Sequence, residues 1–169
     1  MTLYDLDRLA INRELVLEFF LAFSCFEFAL KNAGYAHPCP RQNGRLPSVD
    51  PGWDTFAASV RDLFKRTRNP ELNSACDYML ENPPLEQVLI ETGLAWETNN
   101  PCESVSEVEC LLRLVRRVRN NLFHGAKFSN EAFEDTSRQE MLLKGSLLIL
   151  AECLDVSPQV RSVYESAAI

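Results

Sequence analysis

Between Val105 and Leu122 the apolar side chains recur at steps of three and four, as Val105, Val108, Leu111, Leu112, Val115, Val118 and Leu122. An α-helix, at about 3.6 residues per turn, gathers that spacing on one face, and no strand does. Ser104 and Glu107 stand at the spacing of a capping box, in which each side chain satisfies a backbone N–H at the helix start. Gly125 is the residue best able to take the left-handed conformation that closes a helix. Arg113, Arg116 and Arg117 fall largely off the apolar stripe, so the helix predicts a buried face and a basic one.

The rest of the chain reads the same way. A first helix is expected over residues 5–32, stopped by Gly34. Residues 35–52 read as a loop, because Pro38, Pro40, Pro47 and Pro51 with Gly44 oppose regular structure. Further helices are expected over 55–66, 71–80 and 85–96, the last two separated by Pro83-Pro84. A core helix over 135–154 carries Leu142, Leu143, Leu147, Leu148 and Leu150, and a final helix follows Ser157-Pro158. No stretch shows convincing period-two alternation. The expectation is therefore an all-α antiparallel helical bundle with additional short helices. At 169 residues and 46% hydrophobic content it forms one domain over 1–169 with a single core.

Charge singles out one segment. The chain is acidic, with 24 Asp plus Glu against 17 Lys plus Arg and a net charge of -7. Residues 111–130 hold Arg113, Arg116, Arg117, Arg119 and Lys127 and no carboxylate. An anionic partner would be drawn to this island first. The plain alternative is a solvated helix face whose arginines pair with carboxylates of neighbouring helices.

Within the island, Arg119-Asn120-Asn121-Leu122-Phe123-His124 forms an R-N-x-x-x-H signature. A guanidinium stays charged and meets a phosphate in two-point contact. An imidazole, with an unperturbed pKa of about 6.5, takes and returns a proton near neutrality. At a helix C-terminus the macrodipole favours the protonated form of His124. Together the two suit phosphodiester cleavage without a metal. On a straight helix, however, Arg119 and His124 project about 140° apart. A helix end near Phe123, or a counterpart across a dimer axis, would have to join them. Alone, His124 could merely cap carbonyls and Arg119 could be a surface ion-pair partner.

Other classes find no support. The six cysteines, Cys25, Cys39, Cys76, Cys102, Cys110 and Cys153, lie scattered without a C-x-x-C pair or a secretory signal. Reduced thiols and a cytoplasmic location are expected. Residues 15–30 are dense in phenylalanine, but Glu18 and Glu27 interrupt them and the run falls short of the roughly 20 residues of a membrane span. Such a helix is expected to be buried twice, against its own core and against a second subunit. His37 beside Cys39 lacks a second pair of ligands, so no metal and no cofactor are expected. Neither G-x-S-x-G nor a glycine-rich phosphate loop is present.

The late helix with R-N-x-x-x-H before a final helical pair resembles the HEPN superfamily (higher eukaryotes and prokaryotes nucleotide-binding domains). The segments V-R-N-N-L-F-H-G-A-K-F over 118–128 and Phe26-Glu27-Phe28-Ala29-Leu30-Lys31 are similar to a plasmid- and chromosome-borne bacterial group of stand-alone HEPN proteins. The resemblance implies an endoribonuclease, a toxin or defence effector that leaves 2′,3′-cyclic phosphate ends. It implies a homodimer whose two motifs line one cleft, with Arg119 and His124 catalytic and Asn120 assisting. Arg116, Arg117 and Lys127 would hold RNA phosphates, and Glu27 would orient the pair unless it merely bridges to Lys31 at i, i+4. An antitoxin or a defence-system protein is the implied partner. Two other functions stay open: a nucleotide- or RNA-binding module without turnover, and an interaction subunit that uses its aromatic first helix.

Overall fold

Asn12 decides where the first helix starts. In the computed structural model, which describes residues 11–41, 45–99, 102–123 and 136–167, helix α1 spans Arg13–Asn32. The Asn12 side chain accepts from the backbone N–H of Glu14 at 2.9 Å and of Leu15 at 3.2 Å. A carboxamide that takes up those N–H groups holds its own residue outside the helix, so the helix does not run through Asn12 as its periodicity suggested. The expected start near residue 5 lies outside the described residues. Gly34, at φ 92°, ends the helix as expected.

One face of α1 is buried at Leu15, Phe19, Phe23, Phe26, Ala29 and Leu30. There Phe26 stacks on Trp53 at 5.4 Å between centroids and meets Phe56 edge-on at 5.5 Å. Such pairs add about 0.5–1.5 kcal/mol to the burial of their surface.

The fold is mixed α/β, which corrects the all-α expectation. Strands β1 (Ala36–Cys39) and β2 (Ser48–Pro51) form one antiparallel pair, and β3 (Glu86–Ile90) and β4 (Gly93–Glu97) another. The first pair occupies the segment that its prolines marked as a loop. A two-stranded ribbon consists of edge strands alone, where a missing N–H is tolerated, and Pro38 sits opposite Val49 and Pro51 opposite Ala36. Gly44 lies outside the described residues.

The second pair replaces the helix expected over 85–96. Its two-residue connection, Glu91 and Thr92, is followed by Gly93 at φ 126°. Period-two patterning is blurred because Leu89 and Leu94 face each other at the tip while 81% and 71% exposed. Apolar residues therefore stand where a half-buried strand would carry polar ones.

Helix α2 covers Trp53–Val60 and stops earlier than the expected 66. The N–H groups of Leu63 and Phe64 both return to the Val60 carbonyl, and a short 3-10 turn follows at Arg66–Arg68. Helix α3, Pro70–Glu81, is capped by the Asn69 side chain and opens on Pro70. Helix α4, Glu107–Phe123, carries the motif. Its cap is Ser106, whose hydroxyl accepts from Glu109 N–H at 3.4 Å. Ser104, the expected cap, lies before the helix at φ 62°.

That turn brings Cys102 and Cys110 into a disulfide, with 4.8 Å between Cα atoms, where free thiols were expected. A spacing of eight residues carries no signal of pairing until the turn is known. Cys25, Cys39, Cys76 and Cys153 are free. Helices α5 (Thr136–Asp155) and α6 (Pro158–Ala167) complete the described chain.

Buried side chains of all six helices form one apolar cluster, with α5 packed against α1, α3 and α4. The α4 stripe is buried from Val108 to Leu122, joined by Cys110 and Leu114, while Val105 is partly buried. Among the described residues no helix is long and apolar enough to cross a membrane.

Candidate functional site

Burying one face of α4 turns Arg113, Arg116, Arg117, Arg119 and Asn120 toward the surface, and the neighbouring elements then divide them. On one side stand α1 and the start of α2; on the other stands the β3–β4 hairpin.

Arg119 belongs to the first side. Its guanidinium carbon lies 5.5 Å from the Phe23 ring centroid and 5.7 Å from that of Phe123. The Phe123 ring in turn meets Phe20 of α1 at 5.3 Å. Nη1 of Arg119 donates to Asn120 Oδ1 at 3.0 Å. Among the described residues Arg119 forms no ion pair with a carboxylate. Rings and an amide position a guanidinium without neutralising it, and most of its five N–H donors remain able to bind an anion.

Arg119, Asn120 and Arg116 line a cleft of about 210 Å³, opposite Glu27, Asp50 and Trp53. Arg116 lies 5.8 Å from the centroid of Trp53 and 3.9 Å from Asp54, a loose and partly exposed pair that holds the side chain weakly. Glu27 does reach this cleft. Its carboxylate accepts from Trp53 Nε1 at 3.4 Å, and among the ion pairs of the described residues none joins it to Lys31. Asp50 accepts from the Cys39 thiol at 3.1 Å, and this hydrogen bond raises the pKa of that thiol. Between the cleft residues Pro51 and Trp53, Gly52 permits a close backbone approach: its N–H donates to the Tyr35 carbonyl at 2.6 Å, and a Cβ there would stand 2.7 Å from the same oxygen.

Arg117, expected beside Arg116 as a phosphate ligand, is engaged elsewhere. Nη1 donates to the carbonyls of Pro84 at 3.3 Å and Asn99 at 2.8 Å, and Nη2 to Glu86 at 3.2 Å. With a side chain 15% exposed, it pins the β3–β4 hairpin to α4. Asn121 helps by donating to the Leu85 carbonyl at 2.8 Å. Arg113 pairs with Glu109 at 2.7 Å. The solvated-face alternative fits Arg116, loosely paired with Asp54 of α2; Arg113 pairs with Glu109 of α4 itself, Arg117 is largely buried against the hairpin, and Arg119 has no carboxylate partner among the described residues.

His124 and Lys127 lie outside the described residues, as do Gly125 and the start of the expected 135–154 helix. α4 is described as far as Phe123, and His124 follows directly in sequence on that residue, whose ring packs against Arg119. Phe23, Asp50 and Trp53 were not anticipated as site residues. Phe23 and Trp53 read as ordinary core aromatics, and Asp50 reads as a loop carboxylate. Among the described residues no group of three or more His, Cys, Asp or Glu side chains could hold a metal ion.

Comparison of this chain with models of protein families, with curated proteins and with solved structures gives no match in any of the three.

Proposed function

We propose that this protein is a metal-independent endoribonuclease of HEPN type that works as a homodimer, with Arg119 and His124 as its catalytic pair. The observation that carries the reading is the state of Arg119: fixed by two rings and Asn120, open on a cleft, and without a carboxylate partner among the described residues.

The chemistry is transesterification. The RNA 2′-oxygen loses its proton and attacks the adjacent phosphorus, the P–O5′ bond breaks, and the 5′-oxygen takes up a proton. The products carry a 2′,3′-cyclic phosphate and a 5′-hydroxyl. His124 serves as general base or as acid to the leaving oxygen, and two motifs in one cleft supply one imidazole for each transfer. Arg119 stabilises the charge that grows on the phosphoryl oxygens. Asn120 acts through Arg119, as the acceptor that orients its guanidinium. The carboxylates of Glu27 and Asp50, with the net charge of -7, weaken non-specific affinity and favour a structured or ribosome-associated RNA.

Dimerisation has support in α1, where Leu17, Leu21 and Phe28 stand 57%, 52% and 47% exposed on the face opposite the core. The same ridge favours a second reading, an interaction module that docks an antitoxin or a defence-system protein. A toxin or defence role for the nuclease remains part of this proposal.

The test is cleavage of a labelled RNA pool in EDTA by wild type, Arg119→Ala and His124→Ala, with the product ends mapped. Cyclic phosphate ends made by wild type and lost in both variants support the nuclease. Intact tRNA, mRNA and ribosomal RNA after exposure to wild type would overturn it in favour of the binding or docking module. In parallel, Leu21→Ser with Phe28→Ser should convert a dimer to a monomer in sedimentation while the melting temperature holds.

A further inference from the structure

A second cleft, of about 370 Å³, opens on the other side of the same helical ridge, between α4 and the β3–β4 hairpin. Arg116 and Asn120 line both clefts, so the two are neighbours across a single row of side chains. A flexible polymer laid in one continues into the other. Arg113, Arg116 and Arg117 all face the second cleft, and Glu86, already paired with Arg117, is the one carboxylate among its lining residues. Trp96 forms part of its wall, half-buried, with Gln87 directly across the strand pair.

We infer that this cleft holds the nucleotide adjoining the scissile phosphate in a single-stranded segment of the RNA, with the base on Trp96 and the intervening phosphate on Arg116. The inference rests on the phosphodiester assignment of the Arg119 cleft. A π face, guanidinium groups and side-chain amides are the groups by which proteins take unstacked bases, stacking being tolerant of sequence and amides reading base edges. A duplex keeps its bases stacked and cannot offer one to Trp96. The volume falls within the range of small-ligand sites. The wall is also fixed beforehand: Arg117 ties the hairpin to α4 at three acceptors, Asn121 holds Leu85, and Asn99 donates to Glu86. Little ordering is then left for binding to impose.

Short 2′-O-methyl RNA oligonucleotides lack the attacking hydroxyl and report binding without turnover. They would be titrated into wild type, Trp96→Leu, Trp96→Phe and Arg116→Ala at several salt concentrations, by anisotropy and by tryptophan emission. Trp96→Leu should weaken binding by about 5- to 100-fold, with Trp96→Phe close to wild type because a phenyl ring still stacks. Arg116→Ala should weaken binding and lower the salt slope by about one. Wild-type emission should be quenched on binding and the Trp96 share of that quench lost in Trp96→Phe, leaving only what Trp53 in the Arg119 cleft contributes, a readout that does not depend on the leucine variant folding. Unchanged affinity in Trp96→Leu, or an equal quench in Trp96→Phe, would overturn the inference. RNA cleavage that needs Arg119 and His124 beside unaltered Trp96→Leu binding would remove this subsite and leave the nuclease. Binding through Trp96 with no cleavage by wild type would do the reverse.

Discussion

Arg117 and Arg119 stand two residues apart on one helix and do opposite work. The first donates to two carbonyls and a carboxylate and holds a hairpin in place. The second lies between two phenylalanine rings with an amide oxygen as its one hydrogen-bond acceptor among the described residues. A guanidinium whose donors and charge are already met can add stability but has little left for a ligand. One that is positioned by groups of no net charge is prepared to bind. Residue type and sequence position do not distinguish the two; their surroundings do.

Arg119→Ala should lower cleavage by about 100- to 1000-fold with the melting temperature nearly unchanged, since one charge-stabilising donor is lost at the transition state. Arg119→Lys should recover little of it, because an ammonium cannot reproduce the fork. A full loss of fold in either variant would place Arg119 with Arg117 as a structural residue. Arg117→Ala is expected to cost about 2 kcal/mol, a fall of about 4–8 °C in melting temperature, because two carbonyls and the Glu86 carboxylate lose their donors. Its maximal cleavage rate per folded molecule should stay within a few-fold of wild type while RNA affinity falls with the loosened Trp96 wall, and thermal melts, active-site titration and 2′-O-methyl RNA binding would check each part.

Alkali probes the core beneath these residues. Burial pushes the Cys76 thiol up to about 12 and raises that of Cys153 as well. Both stay protonated in the folded chain, whereas in the unfolded chain they ionise near the ordinary value of 9.0. The unfolded state then binds fewer protons above that pH. Stability contributed by Cys76 is thus complete below about pH 9 and declines between there and about pH 12. Denaturant titrations across that range, repeated with Cys76→Ala, should show the slope and its reduction. The smallest effect belongs to Glu27→Gln. It keeps an acceptor for Trp53 Nε1 and removes a negative charge opposite Arg119, so RNA affinity should rise by about 5-fold or less. A fall in affinity would mean that the carboxylate itself positions Arg119 or His124.

How far each element could be read in advance follows from how local its causes are. α4 was legible because its stripe of valine and leucine repeats at helical spacing through Leu122. Even there, two serines competed for the cap, and the chain chose Ser106 once Ser104 took φ 62° in the turn before it. The segment 85–96 was misread because its leucines suit a helix as well as a strand, and the deciding contacts come from Arg117 and Asn121, more than thirty residues later. Trp53 and Phe23 passed for core residues, which they are, and nothing local announces that Arg116 and Arg119 rest against them.

The amino-acid order by itself determined where most of the helices lie and which faces they bury, the basic island in an acidic chain and the R-N-x-x-x-H motif, all of which depend on neighbours within a few residues. Tertiary structure alone decided that two hairpins interrupt the helices, that Cys102 meets Cys110, and that Arg117 is bound to the hairpin while Arg119 faces a cleft. The physical reason is that hydrogen-bond and charge satisfaction is settled by whichever groups the packed core brings within about 3 Å, and those groups are distant in sequence.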